Sequence, residues 1–95
     1  MELIIDGSKI QSEIELHCML EAGLALPGWY GKNLDALWDV MTGMTERPLK
    51  IIWINADLSR ERLAHFEQIV SLFRKVEVQD KAYKWAESFI FEMHP

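Results

Sequence analysis

Three short apolar runs, Leu3-Ile4-Ile5, Leu49 to Ile54 and Phe89-Ile90-Phe91, constrain this chain more than any other feature. Each is too short for a core helix and lacks strict alternation, which suits strands covered on both faces of a parallel sheet. Sequence of helical character separates them. The order strand, helices, strand, helices, strand predicts an α/β fold, a three-stranded parallel sheet with right-handed crossovers and about four helices. The order of the strands within the sheet is not readable from the runs. A chain of 95 residues suffices for one domain over 1–95 and leaves no room for a second core.

The helical stretches carry their own punctuation. Ser12 and Glu15 have the spacing of a capping box, and Ile14, Leu16, Met19 and Leu20 then recur at helical intervals until Gly23 and Pro27. After the loop Pro27-Gly28-Trp29-Tyr30-Gly31, Asn33 is placed to cap a second helix ending at Gly43. Leu63, Phe66, Val70 and Phe73 mark a further apolar stripe, for one long helix or two short ones. Val76 to Trp85 mixes charge and aromatics without a clean period, so its structure stays open.

Charge narrows the partner class. Ten Lys and Arg against 15 Asp and Glu give a net charge of -5, which repels nucleic acid and anionic membrane and attracts a basic protein. The opening Met1-Glu2-Leu3-Ile4-Ile5-Asp6-Gly7 has no basic start, and its apolar run is too short for a signal segment or a membrane span. A cytoplasmic protein is expected. Cys18 is the only cysteine, which excludes an internal disulfide, and it is expected as a small buried residue on the first helix. No metal framework and no cofactor motif is present in the sequence.

The second helix holds the least ordinary pattern. At about 100° per residue, Leu34, Leu37, Trp38 and Met41 share one side, while Asp35, Asp39 and Thr42 gather on the adjoining side. Asp35 and Asp39 are a like-charge i, i+4 pair, with no Lys or Arg between Asn33 and Gly43 to offset it. Asp35 gains from the helix dipole, but Asp39 lies a turn farther along, where that field has decayed. Trp29, Tyr30 and Trp38 place large aromatic groups beside these carboxylates, as in a binding surface for cations. Two exposed Asp on an amphipathic helix are more often only a solvated face, so the spacing alone does not assign a function.

The stretch Leu26-Pro27-Gly28-Trp29-Tyr30-Gly31-Lys32-Asn33-Leu34-Asp35-Ala36-Leu37-Trp38-Asp39 closely resembles the signature of the barstar family, intracellular inhibitors of barnase-type ribonucleases. The likeness continues through Thr42-Gly43, Glu46, Pro48-Leu49, Trp53 and Phe73-Arg74, and reaches back to Ile5, Gly7, Ile10, Leu16-His17 and Leu24. It thins after Lys75. The resemblance implies an inhibitor rather than an enzyme, monomeric when free, which forms a 1:1 complex with a cationic ribonuclease. In that family the second helix and the loop before it plug the enzyme's active site. The residue matching Asp39 takes the place of the substrate phosphate, and those matching Asp35 and Thr42 add polar contacts. The implied contact surface comprises Trp29, Gly31, Asn33, Leu34, Asp35, Trp38, Asp39, Thr42, Gly43, Met44 and Lys75. The resemblance also places a cis bond at Arg47-Pro48.

Three departures bear on the choice of enzyme. Trp29 stands where the family carries a tyrosine, keeping the flat face but losing the hydroxyl. Met44 replaces a tryptophan at the edge of the surface, and Lys75 replaces an acidic residue. Glu77 is close in sequence but, on a helix, faces elsewhere. A same-fold immunity protein against a different nuclease or toxin is therefore the nearest alternative. A small hydrolase using Asp35, Asp39 and His17 lacks a positioned nucleophile, a third ligand and an oxyanion donor. His17 is expected as a packed or hydrogen-bonded helix residue. A nucleic-acid binder stacking bases on Trp29, Tyr30, Trp53 and Trp85 is opposed by the negative charge and the lack of a basic stripe.

Overall fold

The computed structural model describes residues 1–83 and 87–95. Strand β1 (Glu2–Asp6) runs into a 3-10 turn (Gly7–Lys9), followed by α1 (Glu13–Gly23) and α2 (Leu34–Gly43). Strand β2 (Leu49–Ile54), α3 (Ala56–Arg62), α4 (Phe66–Ala82) and β3 (Phe89–Met93) complete the order. The predicted α/β fold with a three-stranded parallel sheet and four α-helices is present. The apolar stripe from Leu63 to Phe73 belongs to two helices: Leu63 caps the end of α3, and α4 carries the rest. The region from Val76 continues α4 as far as Ala82, whereas Trp85 lies outside the described residues.

The strand order is β1-β2-β3, with both pairings parallel. Two right-handed crossovers stepping the same way along a sheet place their helices on the same face. The opposite face is then left open, and burial follows this: Ile5, Ile51, Trp53, Phe89 and Phe91 are buried, while Ile4 and Ile90 are 55% and 45% exposed. The expectation of strands covered on both faces is thus corrected. Three neighbouring strands wound in one direction give a one-sided core, and β-branched Ile tolerates the open side because it suits a pleated strand. Lys50 and Glu92 pair at 3.0 Å across that side.

The core centres on Trp53, which meets Phe66 and Phe73 edge-on at centroid distances of 5.3 and 6.4 Å. Leu16 and Leu20 of α1 and Leu37, Val40 and Met41 of α2 close over it. Ile14, expected in the α1 stripe, is exposed, and so is Cys18, which is not the buried residue anticipated. Four residues apart, both sit on the exposed side of α1. Gly7 is needed where β1 ends, because a Cβ there would collide with the Asn55 carbonyl and Ser59.

Candidate functional site

The surface around α2 is built from its cap. Lys32 takes a left-handed φ of 54° and turns the chain into Asn33, whose Oδ1 accepts from Ala36 N at 2.8 Å. Asn33 Nδ2 donates back to Gly31 O at 3.3 Å, closing the loop onto the helix start. Gly31 permits this fold-back, since a Cβ there would stand 3.2 Å from the Ala36 methyl. From this start α2 buries Leu37, Val40 and Met41 and half-buries Leu34 and Trp38. The helix is therefore held rigidly from behind.

Its outer side carries Asp35 and Asp39, both exposed, and among the described residues neither carboxylate has a hydrogen-bond or ion-pair partner. Thr42 is half-buried, and its Oγ1 donates to Trp38 O at 2.7 Å. Gly43 has open space around its Cα, and Met44, at the C-cap, is half exposed. Lys75 of α4 comes close to the stripe: with Leu34, Asp35, Trp38 and Leu72 it lines a groove of about 520 Å³ between α2 and α4. The residues expected at the contact surface run from the loop to the C-cap of α2, and Lys75 shares a groove with Leu34, Asp35 and Trp38.

The loop aromatics divide. Trp29 is 72% exposed, but Tyr30 is only 3% exposed and belongs to the core, not to the contact surface anticipated from its position. Tyr30 Oη and His17 Nδ1 are 2.6 Å apart and buried, which ties the loop to α1. Burial, and then the Glu21 carboxylate, push the Tyr30 phenol well up, so it stays protonated. His17 is the hydrogen-bonded helix residue expected. Of the three small-hydrolase candidates, His17 and Asp35 line one cavity of about 590 Å³, but His17 Nδ1 is taken by Tyr30 Oη and Asp39 does not line that cavity. Trp53 likewise fails as a stacking platform, being fully buried with Nε1 donating to Ser59 Oγ at 2.9 Å.

Burial holds the His17 imidazole below its ordinary range, partly opposed by the nearby Glu13 carboxylate. A base with a depressed folded pKa stabilises the fold fully above its unfolded value near 6.5 and progressively less as pH falls below it. Stability is therefore expected to decline as pH falls below about 6.5. Replacing both partners, His17→Leu with Tyr30→Phe, should flatten that slope in urea titrations. An unchanged slope in the double variant would assign the decline to other groups.

Sequence reasoning missed an anchor at the far end of α2. Arg47 Nε donates to Asp80 Oδ2 at 2.6 Å, Nη1 to Thr45 Oγ1 at 2.7 Å and Nη2 to Met41 O at 2.8 Å. Asp80, 2% exposed, also accepts from Phe89 N at 2.7 Å. A cation on the last-turn carbonyls of α2 opposes the helix dipole there. The Arg47-Pro48 bond is cis. Among the described residues there is no cluster of three or more His, Cys, Asp or Glu able to hold a metal, and no helix long and apolar enough to cross a membrane.

Comparison with known proteins agrees with this architecture. The profile of the family described as "Barstar (barnase inhibitor)" matches residues 1–91. A relative from Bacillus subtilis (strain 168), named "Putative ribonuclease inhibitor YrdF", is 38% identical over 65 residues, covering 68% of this chain and 71% of the relative. With a parallel sheet, a capped and anchored second helix and a match over nearly all of its length, this protein belongs to the barstar family.

Proposed function

We propose that the chain is an intracellular inhibitor that binds a cationic ribonuclease one-to-one and closes its active site with α2 and the preceding loop. The observation that carries this reading is the pair of exposed, unpartnered carboxylates, Asp35 and Asp39, on a helix whose opposite face is locked into the core. A site that holds RNA presents clustered cationic donors, and these bind carboxylates strongly where water is excluded. In this reading Asp39 occupies the place of the substrate phosphate and Asp35 meets a flanking cation. Thr42 offers its oxygen, and Trp29 lays its indole on the rim of the site. Gly31, Asn33, Leu34, Trp38, Gly43 and Met44 complete the contact. Because the cap and the Arg47 anchor already order α2, little conformational freedom is lost on docking. The chain itself performs no turnover. The family description and the relative's name, which concerns a ribonuclease inhibitor, support the same class of partner.

The test is a titration of a cationic bacterial ribonuclease. Activity should fall to zero at an equimolar ratio, and association should slow steeply as salt rises from about 10 mM to 150 mM, with dissociation changing less. Activity that persists at a large excess of the chain would refute the proposal for that enzyme class.

Lys75 favours a second reading, an immunity protein against a nuclease or toxin unlike barnase. Its ammonium has no ion-pair partner among the described residues and lines the groove beside Asp35. A target opposite it needs an acid there, next to the cations that face the stripe. Full inhibition of a barnase-type enzyme would remove this reading.

A further inference from the structure

A sheet of three strands has two edges, and an unprotected edge is a template for pairing with another chain. Along β3 the parity of the ladder is fixed by His94 N, which donates to Trp53 O of β2 at 2.8 Å. Even-numbered amides of β3 therefore point at β2 and odd-numbered amides point away, toward the free edge. Two of those outward amides are nevertheless taken. Phe89 N donates to Asp80 Oδ2 at 2.7 Å, and Phe91 N donates to Glu77 Oε2 at 2.9 Å. Both acceptors belong to α4 and lie three residues apart, one helical turn, which sets them beside two amides spaced two residues apart on the strand. Arg74, on the preceding turn, lies over the Phe91 ring at 5.4 Å. One helix thus supplies, from its side chains, acceptors in the positions where a neighbouring strand would supply carbonyls.

We propose that Glu77 and Asp80 stand in for a fourth strand, and that β3 is a strand-pairing surface kept closed by this cap, its occupant when open being the β3 of a second copy. The segment suits that occupant: Phe89-Ile90-Phe91 is aromatic and β-branched, contains no proline, and already leaves Ile90 exposed on the open face of the sheet. Asp80 is also committed to Arg47, so its loss would disturb the fold at large. Glu77 makes the cap without that second duty, which makes it the residue to change.

The experiment follows backbone amide exchange and sedimentation of the full chain for Glu77→Ala and Glu77→Gln. In Glu77→Ala the Phe91 amide should exchange on the order of tenfold faster at low concentration. As concentration rises, dimers should form and Phe91 should become protected again, because a second strand then accepts from it. Glu77→Gln keeps an acceptor oxygen at the same reach and should remain monomeric with Phe91 slow. Should Glu77→Ala fail to fold, shown by fast exchange at Ile51 in the central strand, Glu77→Asp takes its place, keeping the charge but shortening the reach. A variant that exposes Phe91 yet stays monomeric would overturn the proposal. So would a dimer in which Phe91 still exchanges fast, or association of Glu77→Gln as strong as that of Glu77→Ala.

Discussion

Asp39→Ala is expected to weaken binding to the cognate ribonuclease more than any other single truncation, by several kcal/mol, while leaving the fold intact. Asp39 is exposed and unpartnered in the free chain and repels Asp35 one turn away, so its removal takes nothing from the fold. In the complex it would be the most desolvated charge, facing clustered cations, and truncation would leave those cations buried and unpaired. Interface residues of this kind cost at least about 2 kcal/mol on truncation. The upper end of that class, about 8 kcal/mol, is set by the matching aspartate of barstar itself and stands here as family precedent. Calorimetry of the complex and urea unfolding of the free variant check the two halves separately. A binding loss under about 1 kcal/mol would mean that the stripe is a solvated face and no more.

The second large effect concerns stability. Asp80→Ala should destabilise the chain by about 3 to 5 kcal/mol, the usual cost of breaking a buried ion pair from one side. Arg47, with a side chain only 13% exposed, would lose its counter-charge, and the buried Phe89 amide would lose its acceptor. For a domain of this size each kcal/mol lowers Tm by roughly 4 to 8 °C. Because Arg47 also holds the Met41 carbonyl, the last turn of α2 should loosen before the sheet does, visible as early amide exchange in that turn. A Tm within a few degrees of wild type would show that water replaces the pair at little cost.

Local signals in the sequence carried over well, and signals from distant pairing did not. The Asn33 cap and the extent of α2 were legible because they depend on residues within one turn. The capping box at Ser12 was partly right: Ser12 Oγ accepts from Glu15 N, but Glu15 reaches back to Gln11 N rather than to Ser12. Tyr30 was misplaced because its partner, His17, lies 13 positions earlier on another helix, and no spacing rule connects them. The Arg47–Asp80 pair, 33 positions apart, was invisible for the same reason. The three apolar runs identified strands but not their cover, since a run of Ile reads alike whether one face or both are packed. Glu77 was expected to face elsewhere and does: it faces β3. Only its target was unforeseen. Of the proposed contact surface, the stripe of Asp35, Asp39 and Thr42 was legible from helical periodicity. The approach of Lys75 to that stripe depended on how α4 packs against α2.

Competition with a mononucleotide tests whether the Asp39 carboxylate fills the phosphate site of the target. The dissociation constant of the ribonuclease complex would be measured at constant ionic strength over rising concentrations of a nucleoside 3′-monophosphate that the enzyme binds. Strict competition is expected, with the apparent Kd rising linearly with nucleotide and without a plateau. An apparent Kd that does not move while the nucleotide saturates the enzyme would place the inhibitor elsewhere on its surface and rule out Asp39 as the phosphate mimic.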